Sequence, residues 1–333
     1  MKSCFVRSSF TKAALAAACA FGIALPAFAQ GTQTLVIEPD QGLNSIYNLI
    51  SSAQSTIDMT MYELQDTTAQ NLLCTAAGKG IKVRVILDIN LEKSNNTSAY
   101  NQLNSCGVSV KWAWTTYSAT HQKSIVIDYG KSNAQVAIMS LNLTSRYYST
   151  SRDYAVIEND ATDIGAIEAT FNKDFAHTSV TPSNGDDLVW SPTNSRSSLL
   201  NIINNATTSL LVENEEMSDS GIVSALKNAA SNGVNVTIVM TDNSSYYNNL
   251  DALKSAGANI ATYPNDNTSL YIHAKAIVAD YGTSNAVAFV GSENFSYYSL
   301  NKNRELGLTT TDSNVMGQLS STINNDYSGG NPY

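Results

Sequence analysis

The segment His121-Gln122-Lys123-Ser124-Ile125-Val126-Ile127-Asp128-Tyr129-Gly130 returns later in the chain as His273-Ala274-Lys275-Ala276-Ile277-Val278-Ala279-Asp280-Tyr281-Gly282. The two copies are separated by 273 − 121 = 152 residues. The same offset relates two residue pairs further along, which are Ser140 with Ser292 and Asn142 with Asn294. Agreement of two long segments at one constant offset indicates that the chain consists of two homologous halves.

The duplication extends over most of the chain. Residues 80–87 resemble residues 233–240, now at offset 153, and small drifts of this kind are typical of loops. The boundary is expected in the turn-rich stretch 181–185, which contains Pro182 and Gly185. We therefore expect a first half over residues 30–183 and a second half over residues 184–333.

Each half alternates helix and strand signals. In the first half we expect helices over residues 43–53, 67–79, 98–106 and 160–175, and strands over residues 55–64, 81–88, 108–114, 123–128 and 134–140. Alternation followed by a strand pair predicts an α/β fold in which each half is a mixed β-sheet flanked by helices. Two such halves can pack pseudo-symmetrically, in the manner of a fused homodimer.

The N-terminus predicts export. A basic start is followed by an apolar run over residues 13–28 and by the small-x-small sequence Ala27-Phe28-Ala29. This pattern is typical of a signal peptide, here residues 1–29, with cleavage after Ala29 and a secreted or periplasmic mature protein. A membrane anchor is the main alternative, but the run is shorter than the roughly 20 residues that span a bilayer. A lipoprotein anchor at Cys19 is a weaker alternative.

Charge disfavours general binding to nucleic acid. The net charge is −9, and the expected signal peptide carries Lys2, Arg7 and Lys12, so the mature chain carries −9 − 3 = −12. Phosphate backbones are bound mainly through Lys and Arg. A nucleic-acid partner remains possible at a small basic site.

Two cysteines, Cys74 and Cys106, remain after removal of the expected signal peptide. In an exported chain they predict one disulfide, with two buried thiols as the alternative. Because no histidine lies near them in sequence, a zinc site is not expected there, and we expect no metal elsewhere.

Two of the chain's three histidines occupy the same place in the repeat. On a strand, residues i and i+2 share a face, so His121 and Lys123 project together, as do His273 and Lys275. Asp128 lies five residues beyond Lys123 and should face the other way or lie in the turn. The third histidine, His177, is expected at the end of a helix.

This pattern resembles the phospholipase D superfamily, whose motif is His-x-Lys, four residues, Asp, and then Gly-Ser-x-Asn on the next strand. The second copy ends in Gly291-Ser292-Glu293-Asn294, whereas the first has Met139 in place of the glycine. The resemblance covers both halves. It implies two mixed sheets packed about a pseudo-twofold axis, with both motifs meeting in one cleft.

The resemblance also implies the site and its chemistry. One imidazole attacks phosphorus to form a phosphohistidine and the other protonates the leaving oxygen, with His121 expected as nucleophile and His273 as acid and base. Asp153 and Glu305, each 32 residues past a motif histidine (153 − 121 and 305 − 273), are implied to orient the histidines, although solvated strand ends are an alternative. The remaining expected catalytic residues are Lys123, Lys275, Asn142, Asn294, Asp128 and Asp280, and the expected substrate-binding residues are Ser140 and Ser292. No cofactor is implied.

The leading functional expectation is a secreted phospholipase D that hydrolyses glycerophospholipids to phosphatidate and a free head group, with transphosphatidylation when an alcohol replaces water. The alternatives are a metal-independent secreted endonuclease of the same superfamily and a non-catalytic lipid-binding module. The expected partner is a phospholipid, contacted transiently at a membrane surface by aromatic residues such as Tyr147 and Tyr148. We expect a monomer.

Overall fold

The structure, a computed structural model, describes residue 1 and residues 31–333. Apart from Met1, the expected signal peptide and its cleavage site lie outside the described residues. Within the described part, none of the helices combines the length and apolar character needed to cross a bilayer.

The first half forms a mixed sheet in the order β1-β7-β6-β5-β2-β3-β4. Strands β2, β3 and β4 are parallel, whereas β5, β6, β7 and β1 are joined by antiparallel pairings. The elements are β1 (Gln33–Glu38), α1 (Asn44–Ser52), β2 (Thr56–Met61), α2 (Thr67–Gly78), β3 (Lys82–Leu87), α3 (Lys93–Ser105), β4 (Ser109–Trp112), β5 (Ser124–Ile127), β6 (Gln135–Met139), β7 (Ser151–Glu158) and α4 (Ala161–Phe175).

The second half repeats this arrangement in the order β16-β11-β10-β9-β13-β14-β15-β8. The elements are β8 (Leu188–Ser191), α5 (Ser195–Asn205), β9 (Ser209–Asn214), α6 (Ser220–Ser231), β10 (Asn235–Thr241), α7 (Tyr247–Ser255), β11 (Asn259–Tyr263), β12 (Tyr271–Ile272), β13 (Lys275–Ala279), β14 (Val287–Gly291), α8 (Tyr297–Asn301), β15 (Glu305–Thr310), α9 (Ser313–Gly329) and β16 (Asn331–Pro332). The short β12 pairs with β7 of the first half. The predicted α/β fold of two mixed sheets flanked by helices is confirmed.

The two sheets share one core through their inner faces. Successive strand residues point to opposite faces, so Val126 of β5 and Val278 of β13 enter the shared core, whereas Ile127 and Ile277 enter the outer cores of their own halves. Both strands are apolar on both faces because each is covered on both sides.

The repeat reaches the starts of the helices. Asp66 and Asp160 cap α2 and α4, and their counterparts Asp219 and Asp312 cap α6 and α9. In each case the carboxylate accepts hydrogen bonds from two backbone N–H groups of the first turn, which otherwise lack partners.

Helix α3 begins at Lys93, five residues before the start expected from the sequence. The first turn carries Asn96, a polar residue that is fully buried. Its side chain accepts from the Leu64 N–H at 2.9 Å and donates to the Tyr62 carbonyl at 2.7 Å. An amphipathic helix is recognised in sequence by its apolar face. A buried asparagine that bonds to backbone interrupts this apolar pattern.

Cys74 of α2 and Cys106 at the end of α3 form a disulfide, with their Cα atoms 5.5 Å apart. It joins two helices on the outer face of the first sheet.

Candidate active site

Each motif histidine is held by the opposite half of the chain. The segment before His121 pairs with Arg304, whose carbonyl accepts from the His121 N–H at 2.9 Å. In the same way β12 pairs with the start of β7, and the His273 N–H donates to the Arg152 carbonyl at 3.2 Å. Because backbone pairing is directional, these contacts fix where each imidazole enters the interface.

The imidazoles are also oriented across the interface. His121 Nδ1 lies 2.8 Å from Glu305 Oε2, and His273 Nδ1 lies 2.8 Å from Asp153 Oδ1. The sequence suggested that these carboxylates orient the histidines, and the structure brings them together, each with the histidine of the other half. A carboxylate at Nδ1 leaves the Nε2 lone pair of a neutral imidazole free for chemistry.

The serines of the motif are fully buried. Ser140 Oγ donates to Asp153 Oδ1 at 2.6 Å, and Ser292 Oγ accepts from the Leu306 N–H at 3.2 Å. Glu305 is held instead by Ser299 Oγ, at 2.7 Å. Ser140 thus contacts an orienting carboxylate and Ser292 contacts the adjoining strand, while a contact of either serine with a substrate stays a prediction.

The motif lysines turn back toward their histidines. Lys123 Nζ donates to the His121 carbonyl at 2.8 Å, and Lys275 Nζ donates to the His273 carbonyl. Both lysines are fully buried. Such ammonium groups, held inside the protein, provide positive charge next to the cleft where a phosphate would bind.

The environments of the two lysines differ. Lys123 Nζ lies 5.0 Å from the ring centroid of Tyr62, whereas Lys275 Nζ lies 2.9 Å from Glu215 Oε2. Tyr62 and Glu215 are structural counterparts. In β2, Met59 pairs with the middle of the first motif strand, and in β9, Val212 pairs with the middle of the second. Tyr62 and Glu215 each lie three residues after that pairing residue. The two half-sites therefore differ by one aromatic ring and one carboxylate.

Both histidines line a single cleft of about 700 Å³. Asn142 and Asn294 also line it, and each has a buried Oδ1 atom that has no partner among the described residues. The rest of the lining is rich in carboxylates and tyrosines: it includes Glu38, Glu63, Glu92, Asp153, Glu215, Glu216, Asp266, Tyr62, Tyr147, Tyr148 and Tyr271. The cleft thus has a largely acidic lining, and the two motif lysines are buried beside it.

Burial sets the protonation of the first half-site. It lowers the pKa of His121 below its ordinary value, by more than the neighbouring Glu305 raises it. Burial and the charge of Lys275 together lower the pKa of Lys123 to about 7. Burial alone would raise the pKa of Glu305, but His121 and Lys123 hold it below its usual range. At neutral pH the first half-site therefore presents a neutral imidazole next to an ionised carboxylate.

Two ion pairs reinforce the crossed arrangement. Arg152 Nε lies 2.5 Å from Asp326 Oδ2, and Arg304 Nε lies 2.8 Å from Asp174 Oδ2. Both pairs join a residue of one half to a residue of the other, at the common offset of 152 (304 − 152 and 326 − 174). Each arginine directly precedes the carboxylate that orients a histidine, so the pairs fix the strands that carry those carboxylates.

The motif aspartates do not reach the cleft. Asp128 and Asp280 lie at the far ends of β5 and β13, with φ near +50°. Their carboxylates accept from backbone N–H groups at the starts of β2 and β9, over residues 54–56 and 207–209. Burial alone would raise the pKa of Asp280, but these donors lower it well below its usual value. The structure thus shows both carboxylates bonded to the backbone of a neighbouring strand, and their expected part in catalysis stays a prediction.

Sequence reasoning missed several cleft residues, above all Tyr62, Glu215, Glu216 and Tyr271. Only Tyr271, two residues before His273, lies next to a motif. Tyr62 and Glu215 are different residue types, so a search for identical residues in the two repeats did not identify them as counterparts. An alignment of β2 with β9 at offset 153 would have identified them. His177 lies just past α4, as expected, and outside the cleft lining.

The family model described as cardiolipin synthase, PLD-like domain, matches the chain twice, over residues 46–175 and 199–327. A comparison with curated proteins found no significant match.

Solved structures with a similar fold include phosphatidylserine synthase from Haemophilus influenzae, with a TM-score of 0.67 and 12% identity over 88% of this chain and 85% of that one. Polyphosphate kinase from Porphyromonas gingivalis gives a TM-score of 0.67 and 14% identity over 89% of this chain, which spans 50% of the kinase. At these identities the likeness concerns the fold. The two family matches cover most of the chain, one in each half, and the chain therefore belongs to the phospholipase D superfamily.

Proposed function

We propose that the protein is an exported phospholipase D-type phosphodiesterase that hydrolyses glycerophospholipids to phosphatidate and a free head group. The observation that carries the proposal is the pair of histidine–carboxylate contacts, His121 with Glu305 and His273 with Asp153, at one cleft between the halves. Export rests on the N-terminal sequence and predicts a mature protein that starts at Gln30.

In the first step the neutral imidazole of His121 attacks phosphorus through Nε2, because its Nδ1–H is held by Glu305. The bond from Nε2 to phosphorus forms as the bond from phosphorus to the head-group oxygen breaks. His273 donates its Nε2 proton to that oxygen, which otherwise leaves as a poor alkoxide. Asp153 compensates the positive charge that His273 carries as an acid.

In the second step water replaces the departed head group. His273, now neutral, accepts a proton from the water as its oxygen attacks phosphorus and the bond to His121 breaks. Lys123 and Lys275 compensate the phosphate charge throughout, and the asparagines donate to its oxygens. An alcohol in place of water gives transphosphatidylation by the same step.

The surroundings of the cleft support a lipid rather than a nucleic acid. A nucleic acid is a polyanion, whereas the cleft lining contains carboxylates such as Glu92, Glu216 and Asp266. A phospholipid brings a single phosphate to the motif histidines and lysines and keeps its acyl chains outside. Tyr147, a partly exposed ring in the lining, is suited to a lipid–water interface.

The test offers the purified protein two substrates, phosphatidylcholine vesicles and plasmid DNA, each with a metal chelator present. We expect choline release that persists with the chelator, while the plasmid stays intact. Nicked plasmid without choline release would replace this proposal with a nuclease. Lipid binding without release of any head group, tested across several head groups, would leave a non-catalytic module.

A further inference from the structure

Glu215 lies among the phosphate-handling groups of the second half. Its Oε2 atom accepts from Lys275 Nζ at 2.9 Å and from Asn294 Nδ2 at 3.2 Å, and lies 3.6 Å from His273 Nε2. Its Oε1 atom accepts from the Tyr271 hydroxyl at 2.7 Å. One carboxylate thus contacts the lysine, the asparagine and the reactive nitrogen of the same half-site.

These are the groups that a substrate phosphate needs in the proposed reaction. The Glu215 carboxylate therefore stands where a phosphate oxygen would bind. It belongs to the cleft lining, and its side chain is 24% exposed, so an incoming anion meets it directly. Burial alone would raise the pKa of Glu215, but Lys275 and His273 hold it well below its usual range, which favours the charged form of the carboxylate.

The first half offers no such competitor. Its counterpart position carries Tyr62, whose ring packs edge-on against His121 with centroids 4.6 Å apart. Among the described residues no carboxylate lies within 4 Å of Lys123 Nζ. An anion bound in the cleft near this buried lysine therefore does not compete with a side-chain carboxylate for it.

We propose that Glu215 is a specificity-determining residue, which competes with phosphate oxygens for the second half-site and restricts the cleft to monoanionic phosphodiesters. The proposal rests on the proposed function only in requiring that the cleft binds a phosphate ester. When both lysines are protonated they supply two positive charges, and Glu215 offsets one of them. The one net charge that is left in that state matches a diester, which is a monoanion.

A phosphomonoester carries about −1.5 to −2 charges at neutral pH. Repulsion by a fixed carboxylate scales with the charge of the ligand, so Glu215 disfavours a monoester about twice as strongly, in free energy, as a diester. Phosphatidate, the lipid product of the proposed reaction, is such a monoester. Glu215 therefore speeds its release and limits inhibition by the product.

The test measures binding by calorimetry at pH 7, where a substantial fraction of Lys123 is still protonated. Dimethyl phosphate serves as the monoanion and methyl phosphate, which carries about −1.5 to −2 charges at this pH, as the dianion. Glu215→Gln removes the charge but keeps one oxygen that can accept from Lys275, while its amide nitrogen can donate to the Tyr271 hydroxyl oxygen. One charge at about 5 Å in water-like dielectric corresponds to about fourfold tighter binding of the monoanion and about 16-fold tighter binding of the dianion.

Glu216→Gln is the matched control. It removes the same charge one residue away, from a side chain that bonds to Asn294 at 3.3 Å but not to Lys275. We expect it to change the ratio of dianion to monoanion affinity less than twofold. An equal change in both variants would reduce the effect to the general charge of the cleft and overturn the proposal.

Thermal unfolding establishes that each variant is folded, and Glu215→Ser provides a second neutral side chain if the glutamine variant is not. Unchanged or weaker binding of methyl phosphate in a folded neutral variant also overturns the proposal. Binding is measured without turnover, so a failure to hydrolyse lipid would count against the proposed function and leave this result standing.

Discussion

The two halves of the molecule agree in nearly every part of the catalytic frame and differ at one position beside each lysine. Both supply a histidine, a lysine, an asparagine and an orienting carboxylate, yet Tyr62 stands in one half where Glu215 stands in the other. Acid–base catalysis needs two histidines in different protonation states. A duplicated frame builds the site twice, and diverged positions such as this one then make its two sides unequal.

The largest effect on turnover is expected when either motif histidine is replaced. His121→Asn and His273→Asn are each expected to lower kcat by about 10³-fold or more, because general acid–base and nucleophilic roles are lost. With bis(p-nitrophenyl) phosphate, whose leaving group needs no acid, His273→Asn should still be phosphorylated. Peptide mapping after a rapid quench should then find the adduct on His121.

The matched control is His177→Asn at the remaining histidine, which is exposed and has a φ of 52° that asparagine adopts readily. It should retain near-normal turnover. An adduct found on His273 in the His121→Asn variant, and none on His121 in the His273→Asn variant, would reverse the assignment of nucleophile and acid.

The crossed carboxylates give the next largest effect. Glu305→Gln and Asp153→Asn should each lower kcat by about 10²- to 10⁴-fold, because an amide holds the imidazole tautomer less strictly than a carboxylate. The NMR signals of the ring nitrogens sharpen the test. Those of His121 should respond to Glu305→Gln, and those of His273 to Asp153→Asn. Responses within the same half would contradict the crossed contacts.

The different environments of Lys123 and Lys275 should be visible in the pH dependence of kcat/KM. The pKa of Lys123 is lowered to about 7, so kcat/KM should fall as the pH rises through this region and the ammonium loses its proton. Lys123→Arg keeps its charge and should move the alkaline limb upward by more than about one pH unit, at a lower maximum. Lys275→Arg should leave that limb in place. A wild-type profile that stays flat to pH 9 would refute the prediction.

The smallest effect on turnover is expected at the disulfide, which only the first half has. The equivalent positions in α6 and at the end of α7 carry Lys227 and Ala256. A bridge between residues 32 apart stabilises by about 3–4 kcal/mol in the chain-entropy description. The Cys74→Ser/Cys106→Ser double variant should lose about that much unfolding free energy and keep its kcat at 25 °C. Free thiols in the unreduced wild-type protein would disprove the bridge.

The repeat made most of the fold predictable, but β7, the strand that carries Asp153, was not predicted. β7 begins with Ser151, Arg152 and Asp153, three polar residues that are all buried. A strand is recognised by apolar alternation, and here burial is stabilised by contacts with the other half instead. These partners are distant in sequence, so a local sequence pattern does not predict these contacts.

The same limit applies to the carboxylates. Asp153 and Glu305 stand at equal distances from their own histidines, so the sequence is equally compatible with pairing within a half and between halves. The structure resolves this because β12 adds to β7 and carries His273 to the opposite carboxylate. Likewise, the odd spacing of Asp128 indicated either the opposite face of its strand or the turn, and only the structure shows which backbone groups its carboxylate binds.

The ion pairs Arg152–Asp326 and Arg304–Asp174 have a consequence for the history of the fold. Each half provides the carboxylate that orients the histidine of the other half. An isolated half would therefore contain a complete motif but lack the carboxylate that its histidine needs. An ancestor of half this length would have worked only as two identical copies, which gain or lose every mutation twice. Joining the copies into one chain first allowed a residue such as Glu215 to change on one side alone.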